Sequence, residues 1–443
     1  MSSVFNIKKR LNPLVVISLS FLSVIFIGTF LLMLPCSSKE NTQLIDALFT
    51  STSAVCVTGL VTCNTLTHWT TVGHIIILCL IQIGGLGFMT MATAAVMLVG
   101  RKISLESRLI VKEQFNQNKY SGMVKLLKRI IILTFIIEFI GSVLLSIAFI
   151  PIYGIKGIWL GIFHSISAFC NAGFDITGNS ITDFKSDILI NITISLLVIM
   201  GGLGFNTLID IKNNYRTMKF NIQTKLILII SSFLIILGTI LIFLTEYNNI
   251  STIGNDSLGT KILESFFQSV ILRTAGFNSF DISKISEGTA FIMIIFMFIG
   301  ASPGSTGGGI KTTTVGVLFL SCLSEFHQKR DITVFKKRIS YSTVRKSLVI
   351  VMSATTWICI TTLILYFIEK KSFIYVMYET VSAFATVGVS MGITSDLSFY
   401  SKLLLCLTMY IGRVGFLTLA TALLGNHSYE NNYKYCEVDL TVG

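Results

Sequence analysis

Long stretches without any charged residue constrain this chain more than any other feature of its sequence. The uncharged runs separate Arg10 from Lys39, Asp46 from Arg101, Asp187 from Asp210, Lys225 from Glu246, and Lys346 from Glu369. A helix that crosses the hydrocarbon core of a bilayer needs about 20 apolar residues, and most of these runs are long enough. Because 52% of the 443 residues are apolar and only 13% are charged, the sequence predicts a polytopic membrane protein.

The charges outside these runs alternate in sign along the chain. Basic residues dominate four segments, which are residues 8–10, 101–129, 212–225 and 329–346, whereas the polar segments between them are rich in acids. The positive-inside rule places basic segments in the cytoplasm. The net charge of +12 is therefore explained by membrane topology, and nucleic-acid binding is not predicted.

Four stretches of the sequence align on one glycine and so reveal an internal repeat. They read ALFTSTSAVCVTGL, GIFHSISAFCNAGF, ESFFQSVILRTAGF and MYETVSAFATVGV. The aligned glycines are Gly59, Gly173, Gly276 and Gly388. Ser53, Ser167 and Ser382 stand six residues before their glycines, where the third copy has Val270. A second motif follows each glycine by about one helix length, as IGGLGF, MGGLGF, IGASPG and IGRVGF.

Each repeat predicts a spanning helix, a short half-helix that ends in a glycine turn, and a second spanning helix. Irregular backbone at membrane depth is tolerated only where it is buried or lines a watery cavity. The predicted fold is an all-α polytopic membrane protein, with eight spanning helices in four tandem helix, pore-loop, helix repeats around a pseudo-fourfold pore. Both termini are expected in the cytoplasm. The predicted repeats are residues 1–117, 118–217, 218–340 and 341–443, the last with a cytoplasmic tail.

The glycine turns predict an ion filter built from backbone carbonyls. Carbonyl rings replace the water of a dehydrated cation, and glycine adopts the backbone angles that point carbonyls inward. The predicted filter residues are Val57, Thr58, Gly59, Asn171, Ala172, Gly173, Thr274, Ala275, Gly276, Thr386, Val387 and Gly388. Glycines that only allow close helix packing are the alternative, which four matched positions disfavour. The scarcity of carboxylates in these segments favours a large monovalent cation.

Residues 300–312, GASPGSTGGGIKT, predict a break in the second spanning helix of the third repeat, just below the filter. Glycine and proline weaken a helix by about 1 and about 3 kcal/mol relative to alanine. The candidate gate residues are Gly300, Ser302, Pro303, Gly304, Ser305, Thr306, Gly307, Gly308, Gly309 and Lys311. A nucleotide-binding loop needs lysine directly after its last glycine, after a strand. Here Ile310 intervenes after an apolar helix, so no nucleotide site is predicted on this chain.

Arg413 replaces a residue of the glycine motif in the fourth repeat, where a charge is costly to bury. We expect its side chain to face the pore or the inner loop, as an electrostatic barrier that also anchors the loop. The alternative is an arginine that backbone carbonyls satisfy without any role in conduction. Glu138 lies within a predicted span, and we expect it to form a hydrogen bond between helices.

The motifs TGL, NAGF, RTAGF and TVGV, with GASPGSTGGGIKT and IGRVGF, resemble those of the Trk/Ktr/HKT superfamily of potassium transporters over nearly the whole chain. With eight predicted spans, the chain most resembles the membrane subunit of bacterial Ktr systems (KtrB-like). The resemblance implies potassium as substrate, a gating role for residues 300–312, and sodium as a coupling or activating ion. Glycine at all four filter positions resembles the potassium-selective members.

The resemblance also implies partners and a location. It implies a homodimer in the cell membrane, on a cytoplasmic ring of nucleotide-binding regulatory subunits (KtrA-like, RCK type). Two other classes of function are weighed against potassium uptake. A secondary transporter of small solutes would show two inverted halves, whereas this chain shows four direct repeats. An enzyme would need a catalytic cluster, and no His, Cys or acid cluster recurs in the spans, so catalysis is not predicted.

Overall fold

The computed structural model describes residues 13–87, 90, 123–329, 331–416 and 418–420. In chain order its helices are α1 Pro13–Leu32, α2 Leu44–Cys56, α3 Thr65–His68, α4 Thr71–Leu86, α5 Met123–Tyr153, α6 Lys156–Phe169, α7 Ile188–Leu203, α8 Phe205–Asn214, α9 Ile222–Glu246, α10 Leu258–Ile271, α11 Glu287–Phe298, α12 Thr312–Phe326, α13 Tyr341–Glu369, α14 Phe373–Ala385 and α15 Phe399–Val414. Short 3-10 helices cover Thr182–Phe184, Ile282–Lys284 and Thr394–Asp396. The first basic segment, much of the second, and the predicted cytoplasmic tail lie outside these described residues.

The same three-helix arrangement occurs four times. We call α1, α5, α9 and α13 the outer helices, α2, α6, α10 and α14 the pore helices, and α4, α7, α11 and α15 the inner helices. The pore helices have only 13 or 14 residues, as the sequence predicts. Between α12 and α13, Thr333–Val334 (β1) pairs with Lys337–Arg338 (β2) as an antiparallel hairpin. The all-α fold class is confirmed, with this hairpin as a small exception in the described part.

The four outer helices are each long and apolar enough to cross a membrane. Their lengths run from 20 to 31 residues. Many of their large apolar side chains are exposed, as lipid-facing residues of a membrane protein must be. A multi-pass membrane protein follows from these helices, while the count of eight crossings stays a prediction.

The inner helices break in every repeat, whereas the sequence predicts a break only in the third. Helices α4, α7 and α15 end at Gly87, Gly204 and Gly415, whose φ values are 82°, 90° and 92°. This part of backbone space strongly favours glycine, so the last glycine of each GGLGF or GRVGF motif ends the helix. After the break at Gly204 the chain bends by 99° between α7 and α8.

Polar contacts link neighbouring repeats to one another. Lys402 on α15 bonds Asp46 on α2 at 2.8 Å, and this pair links the last repeat to the first. Lys185 bonds Asp256 at 2.6 Å and so links the second repeat to the third. Glu138 on α5 accepts hydrogen bonds from Gln82 on α4, at 3.0 and 3.2 Å. Glu138 thus makes the interhelical hydrogen bond that the sequence predicts.

Candidate functional site

The four candidate filter segments share one unusual backbone conformation. The segments are residues 57–59, 171–173, 274–276 and 386–388. Their first residues have positive φ values, which are 58° for Val57, 60° for Asn171, 72° for Thr274 and 53° for Thr386. The glycine that ends each segment also has a positive φ, between 68° and 97°. Positive φ is uncommon for residues with a side chain, so its occurrence at four matched positions indicates a conformation imposed by the fold.

The four segments form a closed ring around one axis. Each glycine lies against the backbone carbonyl of the middle residue in the next repeat. The facing pairs are Gly59 with Ala172, Gly173 with Ala275, Gly276 with Val387, and Gly388 with Thr58. A Cβ atom added at Gly59 or at Gly173 would lie 2.5 Å from the facing carbonyl oxygen. The ring therefore has room for glycine only, and its inner wall consists of backbone.

Each segment is braced by its own pore helix. The amide of the middle residue donates to a carbonyl near the end of that helix, at 2.7 to 3.1 Å. The donor and acceptor pairs are Thr58 with Ser53, Ala172 with Ser167, Ala275 with Ile271, and Val387 with Ser382. Ile271, and not Val270, is thus the counterpart of the three serines. This bond spans four residues in the third repeat and five residues in the other three.

A second set of matched contacts, between pore helix and outer helix, is missed by the sequence analysis. Three serine hydroxyls on the pore helices donate to outer-helix carbonyls at 2.7 to 2.8 Å. The pairs are Ser51 with Ile25, Ser165 with Glu138, and Ser269 with Ile235. Opposite each serine the outer helix has a glycine, in the order Gly28, Gly141 and Gly238. The signal was present in the serines, which stand eight, eight and seven residues before the filter glycines.

A cavity of about 230 Å³ opens on one side of the ring. The four filter glycines form its floor, and the residues that follow them form its wall. The wall includes the residue two positions after each glycine, which is Val61, Asp175, Asn278 or Ser390. We call this cavity the outer mouth.

The inner loop, residues 299–311, lies on the opposite side of the ring. Its backbone bonds the broken ends of two other inner helices, through Ser302 to Gly202, Thr306 to Gly201, and Gly309 to Gly412. The Gly304 carbonyl accepts from the Phe205 amide at 2.9 Å, next to Pro303. Within the loop, Gly300 bonds Ile310 at 2.9 Å, and the Ser302 hydroxyl accepts from Thr312 at 3.0 Å. The loop is therefore packed against repeats two and four.

The inner loop also touches the filter segments directly. The Thr306 hydroxyl lies 3.2 Å from Oδ1 of Asn171, and Nδ2 of Asn171 donates to Thr274 Oγ1 at 3.2 Å. The Gly308 amide donates to Thr386 Oγ1 at 2.9 Å. An added Cβ at Gly307 would collide with the Thr274 side chain. The loop thus closes the inner side of the ring by contacts with three of its four segments.

Two basic side chains lie at this closure, and both bind backbone carbonyls. Arg413 donates to the carbonyl of Thr306 in the loop and to that of Gly84 on α4 at 2.5 Å, so it ties three repeats together. Lys311 donates to the Gly307 carbonyl at 2.8 Å and lies 3.4 Å from that of Gly308. Neither forms an ion pair within the described ranges. Within those ranges their charges are therefore stabilised by backbone carbonyls and not by a carboxylate.

Other polar residues of this region have incomplete hydrogen bonding. The Arg273 Nε and Nη2 atoms and the Ser305 hydroxyl are buried, and the described residues offer them no partner. The described residues also contain no group of three His, Cys, Asp or Glu side chains that could hold a metal.

Comparison with known proteins gives concordant results over the whole chain. The model of the TrkH family, described as cation transport protein, matches residues 6–435. The potassium/sodium uptake protein NtpJ of Enterococcus hirae is 40% identical, over 99% of this chain and 98% of its own length. The Ktr system potassium uptake protein B of Bacillus subtilis is 38% identical, over 98% of this chain and 97% of its own length.

A solved structure shares the fold. The crystal structure of the potassium transporter TrkH from Vibrio parahaemolyticus superposes with a TM-score of 0.76 at 18% sequence identity. The match covers 96% of this chain and 87% of the other. Because the family model and the relatives each match nearly the entire sequence, the chain belongs to the TrkH family of cation transport proteins.

Proposed function

We propose that the chain is the potassium-translocating membrane subunit of a potassium uptake system. The observation that carries the proposal is the closed ring of four glycine segments. In this ring the glycine of each segment lies against a backbone carbonyl of the next repeat, so backbone meets backbone all the way round. The names of the relatives, a potassium/sodium uptake protein and a Ktr system potassium uptake protein, support the choice of ion.

Selection of the ion follows from the chemistry of the ring. All twelve predicted filter residues are buried, and none of them has a carboxylate. Backbone carbonyls carry partial charges, so they replace the hydration shell of a weakly hydrated monovalent ion without holding it too tightly. The negative C-terminal ends of the four pore helices, which lead into the segments, add a field that favours a cation. A large monovalent cation such as potassium fits this set of ligands best.

Gating is assigned to the inner loop. The loop blocks the inner side of the ring, and Arg413 and Lys311 place two positive charges on the route of the ion. Conduction therefore requires the loop and these two side chains to move away from the axis. Once the path is open, the membrane potential drives entry, because one charge crossing 100 mV gains about 2.3 kcal/mol.

The assembly is proposed on the names of relatives and on the sequence. A Ktr system implies more than one component, so we propose a homodimer bound to a cytoplasmic nucleotide-binding ring of the RCK type. Nucleotide would then act on the partner and not on this chain. The plasma membrane is the proposed location, with both termini in the cytoplasm. Sodium is proposed as a coupling ion, on the name of the potassium/sodium relative.

Ion flux into liposomes that contain the purified chain tests the function. We expect a potassium or rubidium flux that follows an imposed membrane potential and exceeds the sodium flux. A secondary transporter of a small solute, the second candidate, would instead show solute uptake coupled to an ion gradient. Liposomes that pass no cation, with or without the proposed partner and nucleotide, would overturn the proposal.

A further inference from the structure

The outer mouth has four matched positions, and only one of them carries a charge. Two residues beyond each filter glycine stand Val61, Asp175, Asn278 and Ser390, all of which line the cavity. Among the described residues that line it, Asp175 is the only one with an ionisable side chain. The lining therefore has fourfold geometry but a single carboxylate, on the side of repeat two.

Hydrogen bonds orient the Asp175 carboxylate. Its Oδ2 atom accepts from the Gly178 amide at 2.8 Å, the Ser180 amide at 3.1 Å and the Thr177 hydroxyl at 3.1 Å. All three bonds use the same oxygen, and no hydrogen bond or ion pair within the described chain uses Oδ1. One oxygen thus holds the side chain in place, and the other is available to a ligand in the mouth.

The loop that holds Asp175 is fixed to the filter of the next repeat. The Asn278 amide, two residues past Gly276, donates to the Ser180 hydroxyl at 2.8 Å. The Ile181 amide donates to the Asn278 carbonyl at 3.1 Å. These bonds join repeats two and three at the rim, so the carboxylate keeps a constant position relative to the ring.

We propose that Asp175 is a capture site for a hydrated alkali cation at the outer mouth, placed before the filter and to one side of its axis. The inference rests on the proposed function and names a residue that acts before dehydration. A cavity of about 230 Å³ holds several waters at about 30 Å³ each. The Ser390 and Thr394 hydroxyls on the wall donate to the Glu379 carboxylate, so their oxygens can accept hydrogen bonds from that hydration shell. The charge raises the local cation concentration, as charged clefts do in general.

Rubidium uptake by bacteria that lack their own potassium uptake systems tests the proposal, because the outer mouth is then the entry side. We expect Asp175→Asn to raise the half-saturating rubidium concentration about fivefold, the effect of a unit charge at about 4 Å in water, with an unchanged maximal rate. The amide keeps the acceptor for Gly178 and Ser180, so the turn should persist. Asp175→Glu keeps the charge and should retain the low half-saturating rubidium concentration of the natural chain. Added choline chloride screens the carboxylate, so it should reduce the difference in half-saturating concentration between the natural chain and Asp175→Asn.

Asp183→Asn is the matched control, since it removes the same charge from an exposed position of the same segment outside the mouth. A second variant relocates the charge: Val61→Asp added to Asp175→Asn should lower the half-saturating concentration again. An Asp175→Asn protein that behaves like the control, or that loses maximal rate at constant half-saturation, would overturn the inference. Absence of uptake by the natural chain would overturn the proposed function instead, so the two failures are distinguishable.

Discussion

At the scale of single residues, two independent constraints favour glycine at the four positions of the proposed filter. Gly59 has a φ of 97°, which residues with a side chain rarely adopt, and its missing Cβ would lie 2.5 Å from the Ala172 carbonyl oxygen. Either constraint alone would favour glycine. Together they mean that any side chain must displace the carbonyls that form the wall of the ring.

Gly59→Ser should therefore reduce the preference for potassium over sodium. The added side chain pushes the facing carbonyl aside, and we expect the flux ratio to fall about tenfold, or about 1.4 kcal/mol of discrimination. Potassium and sodium fluxes into liposomes under the same potential measure this ratio. Gly288→Ser is the control, because Gly288 begins an inner helix in open space. Unchanged selectivity of the Gly59 variant would contradict the filter assignment.

At the scale of elements, the inner loop behaves as an insert between two halves of one inner helix. Its ends are adjacent, because Gly300 bonds Ile310 at 2.9 Å and Ser302 bonds Thr312 at 3.0 Å. The two ends run in parallel, with Ile299 beside Ile310, so joining Ser302 to Ile310 after a deletion of residues 303–309 must break this pairing. The deletion therefore tests the role of the inner loop only together with a measurement of folding.

The deletion of residues 303–309 should raise the basal cation flux, since it removes the contacts of Thr306 and Gly308 with the filter segments. Liposome flux without any partner measures the effect. Gel filtration and thermal unfolding in detergent show whether the shortened chain is folded. A folded deletion variant with lower flux than the natural chain would refute the gate.

Arg413 provides a milder test of the same element. Arg413→Ala should free the loop from the Gly84 carbonyl and remove a charge from the path. At an effective dielectric constant near 20, the repulsion between the guanidinium and a cation a few ångströms away amounts to several kcal/mol. We therefore expect its removal to raise the flux at least about tenfold. Arg338→Ala removes an exposed guanidinium as the control. Equal flux and equal regulation in both variants would leave Arg413 a buried residue without a role in conduction.

At the scale of the whole molecule, the sequence predicts the fourfold plan because glycine is nearly irreplaceable in the ring. It does not predict the hydrogen bond of the third filter segment, since the glycine alignment cannot show that Ile271, five residues before Gly276, takes the place of serines that stand six residues before their glycines. It also misses three of the inner-helix breaks. In MGGLGF, Gly201 packs against the Phe169 carbonyl while Gly204 ends the helix, and the letters alone do not separate packing from breaking.

The long-range hydrogen bonds of the inner loop and of Arg413 cannot be predicted from the sequence, for a related reason. Arg413 binds Thr306 and Gly84, which lie 107 and 329 residues away in the chain. Backbone carbonyls accept these bonds, so the partner residues carry no sequence signal. The residues that carry a signal, such as the glycines of the ring, are those whose own shape the structure requires.

The ring of repeats closes between the last inner helix and the first pore helix, and the ion pair Lys402 with Asp46 lies at this closure. The two side chains are only 12% and 13% exposed, so Asp46→Asn leaves a largely buried ammonium without its counter-ion. We expect a loss of about 1.5–3 kcal/mol, the usual value of a hydrogen bond to a charged group. Thermal unfolding in detergent measures the loss. Asp396→Asn, which breaks the exposed pair with Lys371, should cost no more than about 1 kcal/mol. Equal shifts in both variants would mean that the closure of the ring does not depend on this pair.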